Sequence, residues 1–172
     1  DLELGRNGDF SQGTKVWKAQ ATVDFKVING YATVVVAEGE WLGINQPVDS
    51  KKGDKVYIRT RFKEITEDNE VYVVWNGVAN TTFLCLNSSD VEKDMSKIIT
   101  LTDDKVRLSV NSGKTAHTFK MYYLYLINLT QTFGAGNEPS KEWCDANLPD
   151  YFEGTKSVQT PLRIKSDIGG RN

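Results

Sequence analysis

From Thr22 to Leu129 the chain is written in short runs of alternating or β-branched residues, cut at intervals by Gly, Asn and Asp. That rhythm predicts strands. The runs are Thr22–Ile28, Tyr31–Ala37, Lys55–Phe62, Glu70–Trp75, Thr81–Leu86, Ser96–Leu101, Lys105–Val110 and Thr118–Leu129. Their number and spacing predict an all-β fold, a jelly-roll β-sandwich. Asn29-Gly30 is the firmest local signal, because both residues tolerate the positive φ that a two-residue hairpin turn demands. Lys51-Lys52-Gly53-Asp54, Thr102-Asp103-Asp104 and Asn111-Ser112-Gly113 are the other polar turns.

Alternation assigns faces. In Lys55–Phe62 it sends Val56, Ile58, Thr60 and Phe62 inward and Lys55, Tyr57, Arg59 and Arg61 outward. By the same rule Val106, Leu108 and Val110 are buried while Lys105, Arg107 and Ser109 look outward. Leu124 and Leu126 fix the buried side of the last strand and put Tyr122 with them. Trp17 and Trp75 are expected in the core.

After Leu129 the texture changes. Phe133–Pro139 reads as a loop, and Pro139 to Asn147 as a short helix that starts at the proline and stops at Pro149. Phe133, Trp143, Leu148, Tyr151 and Phe152 are more apolar than a free tail requires, so the segment is expected to pack back on the sandwich and seal an edge or end. Residues 1–153 are thus the sandwich with its helix, and 154–172 an extended tail or linker. Leu4-Gly5-Arg6-Asn7 and Gly169-Gly170-Arg171-Asn172 echo one another, as tandem domains would. The chain opens on Asp1 with no signal-peptide pattern and reads as an excised fragment.

Composition narrows the chemistry. Apolar residues make up 39% of 172, and no run approaches the roughly 18 apolar residues of a membrane span. A formal charge of -2 with both signs interspersed gives no phosphate-tracking surface, so nucleic acid is not an expected partner. Cys85 and Cys144 are far apart without metal-ligand spacing and read as free thiols assembled in a reducing cytoplasm, with one bridge between them as the alternative. The single histidine, His117, falls in a polar turn and is read as solvent-facing rather than as part of a Ser-His-Asp device. Glu64, Glu67, Asp68 and Glu70 crowd one turn, where carboxylates are solvated, and Gly134-Ala135-Gly136 lacks the Lys and the βαβ setting of a phosphate loop. The chain is read as no enzyme.

Two segments carry a resemblance. Arg6-Asn7-Gly8-Asp9-Phe10-Ser11, followed by Trp17, resembles the opening of jelly-roll carbohydrate-binding modules, and Lys52-Gly53-Asp54-Lys55-Val56-Tyr57 looks like theirs too. Leu129 to Pro139, then Trp143 and Asp150-Tyr151-Phe152-Glu153-Gly154, is similar to the end of a module in tail and baseplate proteins of phages and prophages of Gram-positive bacteria. Together they frame residues 2 to about 158. The resemblance implies a virion-associated domain whose partners are cell-surface polysaccharide and other tail subunits. It also implies a structural calcium as the one possible cofactor, held by Glu3 and Asp9 with backbone carbonyls. Ser11 and Asn128 stand where those modules often carry carboxylates, which weakens such a site.

Sugar binding needs flat aromatic faces and a few fixed polar groups. The candidates are Tyr57, Arg59 and Arg107 on the outward face, Tyr72, Tyr123 and Tyr125 at alternating positions that could share that sheet, and Trp41 in a loop after Gly39-Glu40. Three readings follow. The favoured one is a non-catalytic carbohydrate-binding module of a phage tail or baseplate. The others are a structural spacer or subunit-interface domain, and an accessory module of a glycoside hydrolase or cell-wall lysin.

Overall fold

The computed structural model describes residues 6–113 and 116–148; the echo of Gly169–Asn172, the tail 154–172, and Glu3 lie outside them. Ten strands form: β1 (Lys18–Ala19), β2 (Val23–Ile28), β3 (Tyr31–Val36), β4 (Leu42–Ser50), β5 (Lys55–Ile65), β6 (Val71–Gly77), β7 (Thr81–Leu86), β8 (Asp94–Thr100), β9 (Lys105–Ser112) and β10 (His117–Asn128). Two short helices follow, α1 (Leu129–Phe133) and α2 (Lys141–Asn147). The strands build two five-stranded antiparallel sheets, ordered β1-β4-β9-β6-β7 and β2-β3-β10-β5-β8. From β3 onward consecutive strands cross between the sheets as in a jelly roll, except at the β6–β7 hairpin.

The core lies between the sheets and follows the alternation that the sequence predicts in most strands. Val56, Ile58 and Phe62 of β5 face Val71, Val73 and Trp75 of β6, all at most 1% exposed. Trp75 stacks on Phe83 and sends its indole N–H to the carbonyl of Val48. Phe10 and Trp17 close one end. Their loop is organised by Asn7, whose amide nitrogen donates to the carbonyls of Gly13 (2.8 Å) and Lys15 (2.9 Å) while its oxygen accepts from Gln12. Asn29 and Gly30 both hold positive φ in the β2–β3 hairpin.

Departures from the pattern have local causes. β4 was not expected, because Gly43, Asn45 and Pro47 break the β-branched signal; β1 ends opposite Asn45, so at Pro47 the strand pairs with β9 alone, where a sheet tolerates proline. Lys105 and Val106 exchange roles: the pairing with β6 slips between Asn76 and Gly77, leaving Val106 54% exposed. Lys105 turns in to reach Asp103 and the Ala79 carbonyl. A second slip, between Met121 and Tyr123, reverses the alternation of β10, so Tyr122 faces out beside Lys63 and Glu92 instead of joining the core. β9 runs on to Ser112, past the expected turn. His117 is not solvent-facing: it begins β10, is 3% exposed and stacks on Phe119.

The segment after β10 packs back on the sandwich, over a face rather than an edge. The Asn128 side chain caps α1 by accepting from Gln131, and Ser140 caps α2 by accepting from Trp143, with Pro139 just before that cap. Phe133, Cys144 and Leu148 bury against Tyr57, Tyr125 and Ile127 on the outer side of the β2-β3-β10-β5-β8 sheet, forming a second small core. Among the described residues no helix is long and apolar enough to cross a membrane.

Candidate carbohydrate-binding site

The single platform anticipated from sequence divides between the two sheets. Tyr57 and Tyr125 lie beneath α2, at 0% and 5% exposure, and offer no ring face to a ligand. Their alternation was read correctly; what it did not reveal is that a helix covers the outward side. Asp145 of α2 fastens that cover. It accepts hydrogen bonds from Tyr57 (2.8 Å), Ser96 (2.6 Å) and Lys141 (2.8 Å) and pairs with Arg59 at 3.6 Å. Burial by itself would raise the Asp145 carboxyl, but those hydrogen bonds outweigh it and hold the group below its ordinary range. Burial likewise pushes the Tyr57 hydroxyl well up. Tyr123 stacks on Tyr125 and donates to Asp94, which also pairs with Arg59. These four candidates are structural in their contacts.

Trp41, Tyr72 and Arg107 share the outer face of the other sheet, with Trp41 and Tyr72 in contact and Arg107 two rows away. Its strands set side chains in register across the sheet: Gly43 of β4, Asn111 of β9 and Tyr72 of β6 form one row. Asn45, Ser109 and Val74 form the next, and Pro47, Arg107 and Asn76 a third. Neither α1 nor α2 belongs to a core on this face: their buried residues pack on the other sheet. At its head Trp41, 54% exposed, sits 5.3 Å from Tyr72 between ring centroids, with the planes tilted by 50°. The indole rests over Gly113, where even a methyl group would meet the ring at 2.8 Å.

Two features make Trp41 more than a stray surface aromatic. Its φ is +58, a left-handed conformation that costs a residue with a Cβ roughly 1–2 kcal/mol. The strain is held by a 2.7 Å hydrogen bond from its N–H to the carbonyl of Ser112. Exposed apolar surface on a strained backbone is retained against both hydration and conformational preference, as at ligand clamps. Beside the indole opens a cleft of about 800 Å³ whose walls include Tyr72, Asn69, Glu70, Asn87 and Ser88.

Polar groups along the face are fixed or free in a useful division. The Tyr72 hydroxyl donates to Glu70; that bond, with burial, drives its pKa up, so the hydroxyl stays protonated and the ring face is what Tyr72 presents. Ser109 donates to Asn76, which itself donates to Asn80. Asn69 and Asn111 each keep one buried amide atom without a hydrogen-bond partner among the described residues, the nitrogen of Asn69 and the oxygen of Asn111. Buried amides in that state need a water or a ligand hydroxyl. Alternation within a strand exposes these Asn and Ser positions in the sequence of β9, but the missing β4 hid their neighbour Asn45.

The calcium expected with Glu3 and Asp9 finds no set of oxygens among the described residues. The Asp9 carboxylate accepts the Ser11 N–H, and the carbonyls of Gly13 and Lys15 are satisfied by Asn7. Asn128 turns its nitrogen, not an oxygen, toward Ser50 and Asp54. No three metal-ligating side chains cluster among the described residues, and Glu3, the other carboxylate expected at the site, lies outside them.

No family model and no curated protein matches the chain. Solved structures do. The N-terminal module pair of a Clostridium thermocellum endo-1,4-β-D-xylanase, complexed with xylohexaose, is similar with a TM-score of 0.55 and 11% identity over 74% of this chain and 29% of that one. The CBM22-1 xylan-binding domain from Paenibacillus barcinonensis gives 0.51 and 12%, covering 70% of this chain and 91% of that one. The second N-terminal cellulose-binding domain of a Cellulomonas fimi β-1,4-glucanase gives 0.50 and 17%, covering 74% and 95%. The chain therefore has the jelly-roll β-sandwich fold of carbohydrate-binding modules. At these identities the likeness is one of fold.

Proposed function

We propose that the outer face of the β1-β4-β9-β6-β7 sheet binds polysaccharide without altering it, and that the domain serves a phage tail or baseplate in attachment to the host cell surface. The observation that carries the reading is Trp41: an exposed indole on a left-handed backbone, seated over Gly113 and backed by Tyr72, at the head of an open polar face. A pyranose ring stacks its apolar side on the indole while Asn111, Asn45 and Ser109 meet its hydroxyls. A shallow open face of this kind binds weakly per site, and repeated copies around a tail supply avidity. The similarity of the C-terminal segment to phage tail and baseplate modules supports that setting. Xylanase modules and a xylan-binding domain among the structural neighbours favour a second setting, the accessory module of a glycoside hydrolase, in which the same face holds a catalytic partner to its substrate.

A glycan array followed by calorimetry on the folded chain tests the reading. Saturable binding is expected, and Trp41→Ala should weaken it by at least about tenfold, the loss of one stacking contact with its buried area. Tyr57→Phe should leave affinity unchanged, because that ring is under α2. A folded wild-type chain that binds no glycan would make the domain a spacer.

A further inference from the structure

We infer that the saccharide taken by this face carries an anionic group, a carboxylate or a phosphodiester, that is gripped by Arg107; the inference rests on the sugar-binding reading above. Arg107 stands on β9, exposed and outward, between Pro47 of β4 and Asn76 of β6. It makes no ion pair or side-chain hydrogen bond among the described residues. The arginines of the opposite face are all spoken for: Arg59 pairs with Asp94 and Asp145, and Arg61 with Glu92 and Asp94. Asp49 lies two residues beyond Pro47 on the same side of β4, yet forms no ion pair with Arg107 within 4.0 Å.

The residues directly opposite Arg107 on the two flanking strands, Pro47 and Asn76, are neutral. Asn76 is tied to Ser109 and Asn80, and Pro47 has nothing to offer a guanidinium. The guanidinium therefore presents five N–H donors in a planar fork, the geometry that matches a carboxylate or phosphate with two parallel bonds. Its position is linked to the aromatic end by the strand itself. Asn111, in the row of Tyr72, and Arg107 are four residues apart on one side of β9, about 13 Å at the strand rise. That is longer than a single pyranose, so a chain stacked on Trp41 and running along β9 brings a later substituent to Arg107. The carboxylate of Glu70 beside Tyr72 disfavours an anion at the aromatic end, which leaves the Arg107 end for the charge.

Calorimetry on the full chain with matched polymers tests this: polygalacturonate against its carboxyl-reduced form, and poly(glycerol phosphate) and neutral xylan as further arms. Wild type should bind one acidic polymer about tenfold more tightly than the neutral chains, as a charge-assisted fork does, and the preference should shrink as salt rises. Arg107→Ala should abolish the preference, so that the variant binds acidic and neutral polymers alike, with the circular dichroism spectrum unchanged; Arg107→Lys should restore part of the preference. Which acidic arm responds tells carboxylate from phosphodiester. Equal affinity for acidic and neutral polymers, or a preference that survives Arg107→Ala, overturns this inference and leaves the sugar-binding reading standing. A chain that binds no polymer overturns both.

Discussion

The two outer faces of the sandwich are built from the same kinds of residue and have opposite fates. One carries Tyr57, Tyr123, Tyr125 and Arg59, which would make a respectable sugar platform if exposed, and α1 and α2 cover it through a second small core. Among the described residues the other carries Tyr72 and Trp41 as its rings, and neither α1 nor α2 covers it. On the closed face the tips around α2 are mostly tied within the chain, Tyr57 and Ser96 to Asp145 and Tyr123 and Arg59 to Asp94, while the Trp143 indole nitrogen and the Thr33 hydroxyl have no hydrogen-bond partner among the described residues. On the open face Arg107 and Asn45 make no side-chain hydrogen bond or ion pair among the described residues, and Arg107 is exposed. The number of aromatics on a sheet is therefore a poor guide to whether its outer face is open.

The contrast breaks most sharply at Phe133, which is fully buried in the second core and meets Trp143 edge to face. Phe133→Ala is expected to cost about 3–5 kcal/mol of unfolding free energy, read from urea denaturation, while glycan affinity of the folded fraction stays unchanged. Trp41→Gly should do the reverse. Releasing the left-handed strain should raise stability by about 1 kcal/mol, less the greater chain entropy of glycine, while glycan binding is lost. A stability loss at Trp41 as large as that at Phe133 would mean that the indole is a core residue and the comparison is wrong.

Much of this was legible in the chain. Alternation in β5 separated Val56, Ile58 and Phe62 from Tyr57, Arg59 and Arg61, and Asn29-Gly30 marked its hairpin. What escaped had physical reasons. β4 hides behind Gly43 and Pro47, residues that a sheet tolerates only where a neighbouring backbone comes close or a partner strand ends; at Gly43 a methyl group would approach the Val110 carbonyl to 1.9 Å. The slips at Val106 and Tyr122 each insert one residue, and alternation carries no warning of an insertion. The covered face was half visible: the apolar excess of Phe133, Trp143 and Leu148 showed that the segment packs back, but not which surface receives it. Trp41 could be placed in a loop, whereas its left-handed backbone and the slot at Gly113 depend on contacts between β9 and the loop before β4.

A smaller effect follows at Asp145. Its carboxyl is held below its ordinary value of 3.8 in the folded state, so the stability it contributes is fully present above that value. It is lost as the pH falls through the lower folded pKa. Asp145→Asn keeps the shape and two of the hydrogen bonds but not the charge. The variant should be less stable than wild type at neutral pH, and the two curves should converge in strong acid. Parallel curves at all pH values would mean that Asp145 fastens α2 by shape alone.

The smallest expected effect is a rate difference between the two thiols. Cys85 is exposed on the open face and pairs across the sheet with Tyr72, whereas Cys144 is buried under the closed one. Burial pushes the Cys144 thiol up to about 12, and burial with the hydrogen bond to Glu70 raises Cys85 as well, so both are thiols at neutral pH. Alkylation with iodoacetamide at mildly alkaline pH should then modify Cys85 slowly in the native chain and Cys144 only after unfolding, since reactivity needs both thiolate and access. A saturating saccharide that lies on Tyr72 should slow Cys85 further and leave Cys144 as it was. Protection of Cys144 instead, with Cys85 unaffected, would move the ligand to the face under α2 and invert the comparison of the two sheets.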